Sequence, residues 1–160
     1  MNVLFLCTGN SARSILGECL MSHLGAPAHR GYSAGSHPVG VVNAGALRAL
    51  QRHAVSAAGA RSKSWDEFAD NSTPVMDIVI TVCDNAAGES CPIWPGHPVK
   101  SHWGLSDPAA VSGELAVIDA AFETTFQVLA KRLAKLVECL SRELDSAELA
   151  AELDRLAGVS

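Results

Sequence analysis

The chain lacks a surplus of basic residues, an apolar run of membrane length and an export signal. Of its 160 residues, 12 are Lys or Arg and 17 are Asp or Glu, which gives a formal net charge of −5. Nucleic acids and anionic membranes are bound through basic patches, so this balance argues against both as general partners. No apolar stretch approaches the roughly 20 residues of a membrane span. The apolar start at Met1 has neither the basic flank nor the length of a signal peptide, which predicts a cytoplasmic protein.

The length and the cysteine content narrow the possibilities further. A chain of this size fits a single domain, because domains usually contain about 100 to 200 residues. The five cysteines are an odd number, which does not suit a structural disulfide framework, and a cytoplasmic chain keeps its thiols reduced. We therefore expect some of them to be chemically active. Cys19 and Cys139 lie on apolar helix faces and are predicted to be core residues.

Predicted strands alternate with predicted helices along the chain. Short apolar runs predict strands at 2–6, 30–33, 77–82 and 99–102, and apolar residues at helical spacing predict helices at 14–24, 43–52 and 113–140. Asn43 is a predicted N-cap. The run 78–82 is almost wholly β-branched, as is typical of a parallel strand that is covered on both faces. The pattern predicts an α/β fold with a parallel sheet, and such sheets bind ligands at the carboxyl ends of their strands.

The most distinctive motif is the loop that follows the first predicted strand. It reads Cys7-Thr8-Gly9-Asn10-Ser11-Ala12-Arg13-Ser14. Gly9 and its small neighbours allow successive backbone N–H groups to point inward, and the following helix adds its positive end. Arg13 can grip two oxygens of a tetrahedral oxyanion, and the same field is expected to lower the pKa of Cys7, with Ser14 as a further donor to the thiolate. The structural alternative is a buried cysteine followed by a surface arginine.

A second pair of cysteines follows the most strongly predicted strand. Cys83 and Cys91 are separated by seven residues in a small, polar, glycine-containing stretch. That stretch could bend and bring the two Cα atoms within the roughly 4.4 to 6.8 Å that a disulfide requires. The alternatives are unconnected buried thiols, or a zinc site with His97 and His102, although the C-x2-C spacing of structural zinc sites is missing. Because both cysteine loops leave strands at the same edge, they could face each other across one crevice.

Asp107 and Pro108 precede the long predicted helix. A carboxylic acid at this position could protonate a leaving oxygen. An Asp-Pro pair is also a common signal for a turn or a helix start, so a purely structural role is the alternative.

These motifs together resemble the arsenate reductases of the low-molecular-weight protein tyrosine phosphatase family. The resemblance rests on the loop 7–14, the strand before Cys83, the segment His102-Trp103-Gly104 and the pair Asp107-Pro108, and it spans residues 1 to about 140. It implies a single phosphatase-like domain over 1–140 with a four-stranded parallel sheet and helices on both faces, and no metal or organic cofactor. Residues 141–160 would form a C-terminal helical extension, since their leucines follow a helical pattern.

The resemblance also implies a role for each site residue. Cys7 would attack the arsenic of arsenate, Asp107 would act as the acid, and Cys83 would attack the Cys7 adduct and release arsenite. In relatives with three cysteines, Cys91 would next attack Cys83 and present a disulfide to thioredoxin. The oxyanion would be held by the loop residues Thr8, Gly9, Asn10, Ser11, Ala12, Arg13 and Ser14.

Two departures from the family pattern bear on the alternatives. Ala12 replaces the second loop cysteine of the phosphatases, and Ala109 and Ala110 replace their aromatic residues. Both changes weaken the alternative of a tyrosine phosphatase. A phosphocysteine carrier or a non-catalytic phosphoanion-binding module is the third alternative. The thiol of Cys83 discriminates among the three, because only reduction requires a second sulfur. The thioredoxin-linked reductases usually place six residues between the last two cysteines, not the seven found here. Thioredoxin and glutaredoxin with glutathione therefore both stay open as reductants.

Overall fold

The computed structural model describes residues 1–69, 73–84 and 92–160, so Cys91 lies outside the described residues. Two short 3-10 helices, Trp65–Phe68 and Pro108–Ala110, lie in connections. No helix in these ranges is both long and apolar enough to cross a bilayer. The strands and α-helices are β1 (Asn2–Cys7), α1 (Arg13–Gly25), β2 (Arg30–Gly35), α2 (Ala44–Arg52), β3 (Ile78–Thr81), β4 (Val99–His102), α3 (Leu115–Leu140) and α4 (Ser146–Ala157).

The predicted strands and helices are confirmed to within a few residues. The largest strand error is at the end of β2, which continues two residues beyond the predicted end because Ala34 and Gly35 still pair with Leu6 and Cys7 of β1. The predicted N-cap is also confirmed, since the side chain of Asn43 accepts a hydrogen bond of 2.8 Å from the backbone N–H of Gly45.

The four strands form one parallel sheet, as predicted, and their order is β2-β1-β3-β4. The chain leaves β1 for β2 on one side and later reaches β3 on the other side. Loops that leave neighbouring strands at such a switch point diverge and open a crevice at the carboxyl ends of the strands. Cys7 is the last residue of β1, and Cys83 lies two residues beyond the end of β3. Both thiols therefore lie at the same edge of the sheet.

The two faces of the sheet are covered by separate apolar clusters. Successive side chains of β1 alternate between the faces, so Val3 and Phe5 pack against the α-helices while Leu4 and Leu6 pack on the other side. Among the described residues, that other side is covered by the 3-10 helix Trp65–Phe68 and by neighbouring loops. The helical layer is completed by Ile15, Leu16, Leu50, Phe122, Leu129, Leu133, Leu153 and Leu156.

Helix α4 packs against β4, the edge strand of the sheet. It begins with a capping box, in which Asp145 and Glu148 satisfy each other's backbone N–H groups. The carbonyl oxygen of Leu153 accepts a hydrogen bond of 2.9 Å from Nε1 of the buried Trp103. Because Trp103 directly follows β4, α4 covers this edge and holds the connection that leads to Asp107.

We expect Leu153→Ala to lower the free energy of unfolding by about 2 to 5 kcal/mol, because it leaves a cavity at a fully buried position. Leu47→Ala on α2 is a matched control, since Leu47 is exposed and its truncation should cost at most about 0.5 kcal/mol. Urea unfolding of both variants measures the difference. Equal losses of unfolding free energy in the two variants would show that α4 contributes nothing to the core.

Candidate active site

The loop between β1 and α1 turns its carbonyl groups away from the crevice. Three of these carbonyls accept hydrogen bonds from backbone N–H groups of the segment 37–43. Helix α1 begins at Arg13, and the N-cap residue Ala12 makes no side-chain hydrogen bond to its first N–H groups. The loop has the arrangement of an anion nest. The outer hydrogen bonds run from His37 to Thr8, from Val39 to Gly9 and from Asn43 to Ser11, at 2.9, 3.0 and 2.9 Å.

Asn10 supports this loop from behind. Its backbone has a φ of 44°, a left-handed conformation that Asn tolerates better than most residues, and its side chain is fully buried. The Nδ2 group donates to Oγ of Ser14 and of Ser33, each at 2.9 Å. Its Oδ1 accepts from the backbone N–H of Lys63 at 2.8 Å. One amide thus connects the loop to α1, to β2 and to the segment after α2.

A buried ion pair continues this network. The Nζ group of Lys63 lies 3.2 Å from Oε2 of Glu18 and also donates to the carbonyl of Arg61 at 3.1 Å. The same carboxylate accepts a short hydrogen bond from Ser33. Since the Lys63 side chain is only 6% exposed, breaking this pair would leave a charge without compensation.

The crevice itself is a cavity of about 240 Å³. A water molecule occupies about 30 Å³ in the liquid, so the cavity has room for a tetrahedral oxyanion and a few waters. The segment around Val39 and the Ala109 turn form its outer rim. The lining residues are Cys7, Thr8, Gly9, Ser11, Ala12, Arg13, Val39, Cys83, Asp107 and Ala109.

Arg13 is the cation of the cavity. Its Nη1 donates to the carbonyl of Leu105 at 2.9 Å, and its Nη2 lies 3.2 Å from Oδ2 of Asp107. Its Nε is buried and has no hydrogen-bond partner among the described residues. A buried donor without a partner is costly, and an oxyanion in the cavity is the partner that its charge favours.

Asp107 caps a turn and also lines the cavity. Its Oδ1 accepts a hydrogen bond from the backbone N–H of Ala109 and caps the 3-10 helix Pro108–Ala110. Its other oxygen faces Arg13 in the cavity. The turn therefore holds the carboxylate in the cavity beside Arg13, and its role as an acid stays a prediction.

The thiols of Cys7 and Cys83 meet in this cavity. The hydrogen bond with Cys83 and burial raise the pKa of the Cys7 thiol above its ordinary value, and these effects outweigh the lowering by the Arg13 charge and the Gly9 backbone. The predicted net lowering of this pKa is therefore wrong for this arrangement. The Cys83 sulfur also lies 3.6 Å from Oγ1 of Thr8, so the loop contacts both thiols.

Some of the predicted binding residues do not line the cavity. Asn10 and Ser14 are both fully buried behind the loop, and Oγ of Ser14 accepts a hydrogen bond from Asn10. The expected hydrogen bond from Ser14 to the Cys7 sulfur is thus not formed. Contacts between the loop backbone and an oxyanion stay a prediction.

Cys19, Cys139 and the histidines lie outside the cavity. Cys19 is buried on α1, and burial followed by the nearby Glu18 charge raises its pKa to about 12, as suits an inert core thiol. Cys139 is buried on α3. Across the described ranges, no group of three His, Cys, Asp or Glu side chains is arranged to hold a metal ion.

A larger cavity, of about 530 Å³, lies between α1 and the segments 26–31 and 56–60. It contains no residue of the loop 7–14, and Cys19 is the one thiol among its described lining residues. We place the candidate active site in the smaller cavity, because the loop 7–14, a cation and two thiols converge there.

Four residues of the site were not predicted from the sequence: Ser33, Glu18 and Lys63 behind the loop, and Val39 at the rim. These residues are far apart along the chain, and none belongs to a motif. The one available signal was the charge of Glu18 within an otherwise apolar stretch of α1.

The chain matches the model of the low molecular weight phosphotyrosine protein phosphatase family over residues 2–146, which end where α4 begins. An arsenate reductase of Bacillus subtilis (strain 168) is 32% identical over 136 residues, which cover 85% of this chain and 94% of that protein. The solved structure of an arsenate reductase from Archaeoglobus fulgidus superposes with a TM-score of 0.65 at 25% identity, covering 85% of this chain and 98% of the other.

A thioredoxin-dependent arsenate reductase of Corynebacterium glutamicum has a similar structure, with a TM-score of 0.61 and 25% identity. The similarity covers 88% of this chain and 63% of the longer protein. The parallel sheet and the loop geometry agree with these matches. This chain belongs to the low-molecular-weight protein tyrosine phosphatase family.

Proposed function

We propose that this protein reduces arsenate to arsenite and serves in arsenic detoxification. The observation that carries the proposal is the contact between the Cys7 and Cys83 thiols inside an oxyanion cavity. Hydrolysis of a phosphate ester needs one nucleophile and water, whereas reduction of arsenate needs two electrons, which a pair of thiols supplies when it forms a disulfide. The arsenate reductases among the relatives support the same substrate.

In the first step, arsenate binds with its oxygens at the loop N–H groups and at Nε of Arg13. The Cys7 sulfur attacks arsenic and gives up its proton, and an arsenic–sulfur bond forms. One oxygen leaves as water after Asp107 has supplied a proton. The product is an arsenate ester of Cys7, still in the pentavalent state.

In the second step, the Cys83 thiolate attacks the Cys7 sulfur. A disulfide forms, the arsenic–sulfur bond breaks, and its electron pair stays on arsenic, which leaves as trivalent arsenite. Both thiols are oxidised and arsenic is reduced by two electrons. Thr8 contacts the Cys83 sulfur and is placed to orient it for this attack.

The disulfide between Cys7 and Cys83 must then be reduced before the protein can react again. The Cys7 and Cys83 disulfide would be buried, since these residues are 7% and 4% exposed, and a protein reductant would reach it poorly. We propose that Cys91 attacks Cys83, frees Cys7 and carries the disulfide to thioredoxin, the reductant of the Corynebacterium glutamicum relative. Glutaredoxin with glutathione is the alternative. This chemistry requires a reducing compartment, so a cytoplasmic location belongs to the proposal.

Arg13→Lys should weaken arsenate binding about 10- to 100-fold, because lysine keeps the charge but loses a charge-assisted hydrogen bond worth about 1.5 to 3 kcal/mol. The KM for arsenate and competition by inorganic phosphate measure the change. Arg142→Lys, on a half-exposed arginine far from the cavity, is the matched control. Unchanged kinetics of Arg13→Lys would exclude this arginine from the oxyanion site.

Cys83→Ser should abolish multiple-turnover arsenate reduction and leave hydrolysis of a small aryl phosphate intact, because water can resolve a phosphocysteine. Cys139→Ala is the control, since it removes a buried thiol that lies outside the cavity. If Cys83→Ser reduced arsenate at the rate of the unmodified protein, the proposed relay would be contradicted. An equal fall of both activities would instead show that Cys83 supports the fold.

Cys91→Ser should stop thioredoxin-driven turnover after one cycle, because the buried disulfide would have no route to the surface. In the unmodified protein, one equivalent of arsenate should yield a disulfide between Cys83 and Cys91, detectable by peptide mass mapping. Normal turnover of Cys91→Ser with glutathione and glutaredoxin would show that glutathione resolves Cys83 directly.

A further inference from the structure

His102, the last residue of β4, holds both ends of the short segment that carries Cys83. Its Nδ1 lies 2.8 Å from Oγ1 of Thr81, and its Nε2 lies 3.1 Å from Oδ1 of Asp84. When Nε2–H donates to the carboxylate, Nδ1 is left to accept the hydroxyl proton of Thr81. One imidazole thus brackets Val82 and Cys83 between its two hydrogen bonds.

Backbone hydrogen bonds connect this segment to the β4 side as far as Val82. Beyond the end of β3, the N–H of Trp103 bonds to the carbonyl of Thr81 at 2.8 Å, and the N–H of Leu105 bonds to that of Val82 at 3.3 Å. Among the described residues, the hydrogen bond from Leu105 to Val82 is the last backbone hydrogen bond that joins this segment to the residues after β4. The next contact from β4 is the one between the His102 ring and Asp84, directly after Cys83.

The chain leaves room for this contact at Gly104. A Cβ atom at Gly104 would lie 3.0 Å from Nε2 of His102 and 3.1 Å from Oδ1 of Asp84, so it would press on both partners at once. The absence of a side chain there lets the imidazole and the carboxylate meet against the backbone.

We propose that His102 and Asp84 form a tether that positions the Cys83 sulfur for its attack on the Cys7 adduct; this inference rests on the proposed reductase function. The Asp84 side chain is 91% exposed, and contacts between solvent-exposed partners are weak and readily broken. A weak tether suits a segment that must first hold Cys83 against Cys7 and then release it toward Cys91. His102 and Asp84 are positioning residues and touch no reacting atom.

The test measures closure of the disulfide between Cys7 and Cys83 in a Cys91→Ala background, by acid quench, alkylation and mass spectrometry. Closure is driven in one arm by arsenate and in the other by diamide, a two-electron oxidant of thiols. Asp84→Ala and His102→Asn lose the link, because an Asn amide reaches only the position of Nδ1. Asp84→Asn and His102→Gln are the matched controls, since both retain a hydrogen bond between the two positions.

We expect Asp84→Ala and His102→Asn to slow closure about tenfold in both arms, through poorer orientation of the two sulfurs. The closure rates of Asp84→Asn and His102→Gln should stay within about twofold of the parent rate. Binding of inorganic phosphate, measured by calorimetry, should not change in any variant. Closure of Asp84→Ala at the parent rate would overturn the tether. So would a parallel loss of phosphate binding, which would indicate a general structural role.

The two arms separate this inference from the function on which it rests. If diamide closes the disulfide of the parent protein but arsenate does not, the reductase proposal fails, and the diamide arm still reports on the tether. If both oxidants close the parent disulfide and the link-breaking variants are not slowed, only the tether fails.

Discussion

The buried amide of Asn10 holds the anion loop in its shape, and the rest of the site depends on that shape. A left-handed residue in the middle of the loop turns the backbone, and three loop carbonyls bond to the segment 37–43. Such a conformation persists only where its surroundings fix it. Here three hydrogen bonds from one side chain supply that support, and the ion pair of Lys63 and Glu18 closes the network behind them. The loop is thereby organised before any oxyanion arrives, which lowers the cost of binding.

Strand β3 and the connection after β4 contribute the other side chains of the site. Strand β3 delivers a second thiol, and the connection after β4 delivers the carbonyl of Leu105 and the carboxylate of Asp107 to the two ends of the Arg13 guanidinium. Helix α4 lies beyond the residues that match the family model, yet it holds Trp103 at the start of that connection. Each component of the chemistry therefore comes from a different segment, and the parallel sheet brings them to one edge.

The sequence was sufficient to predict the fold and the central motif, because both are local patterns. A β-branched run predicts a buried parallel strand, and a cysteine, five residues and an arginine after a strand predict an anion loop. Contacts between distant positions left no such pattern. Lys63 bonds to Asn10 across 53 positions, and His102 bonds to Asp84 across 18. The predicted pKa of Cys7 was wrong for the same reason, since it considered the loop alone and omitted the thiol that β3 brings beside it.

The most direct test of the account is a single turnover without an external reductant. The fully reduced protein is mixed with arsenate, and thiols and arsenite are then counted after denaturation, with Cys7→Ser as the blank. The account predicts one equivalent of arsenite and the loss of two of the five thiols of the chain. Retention of all five thiols, with no arsenite formed, would contradict it.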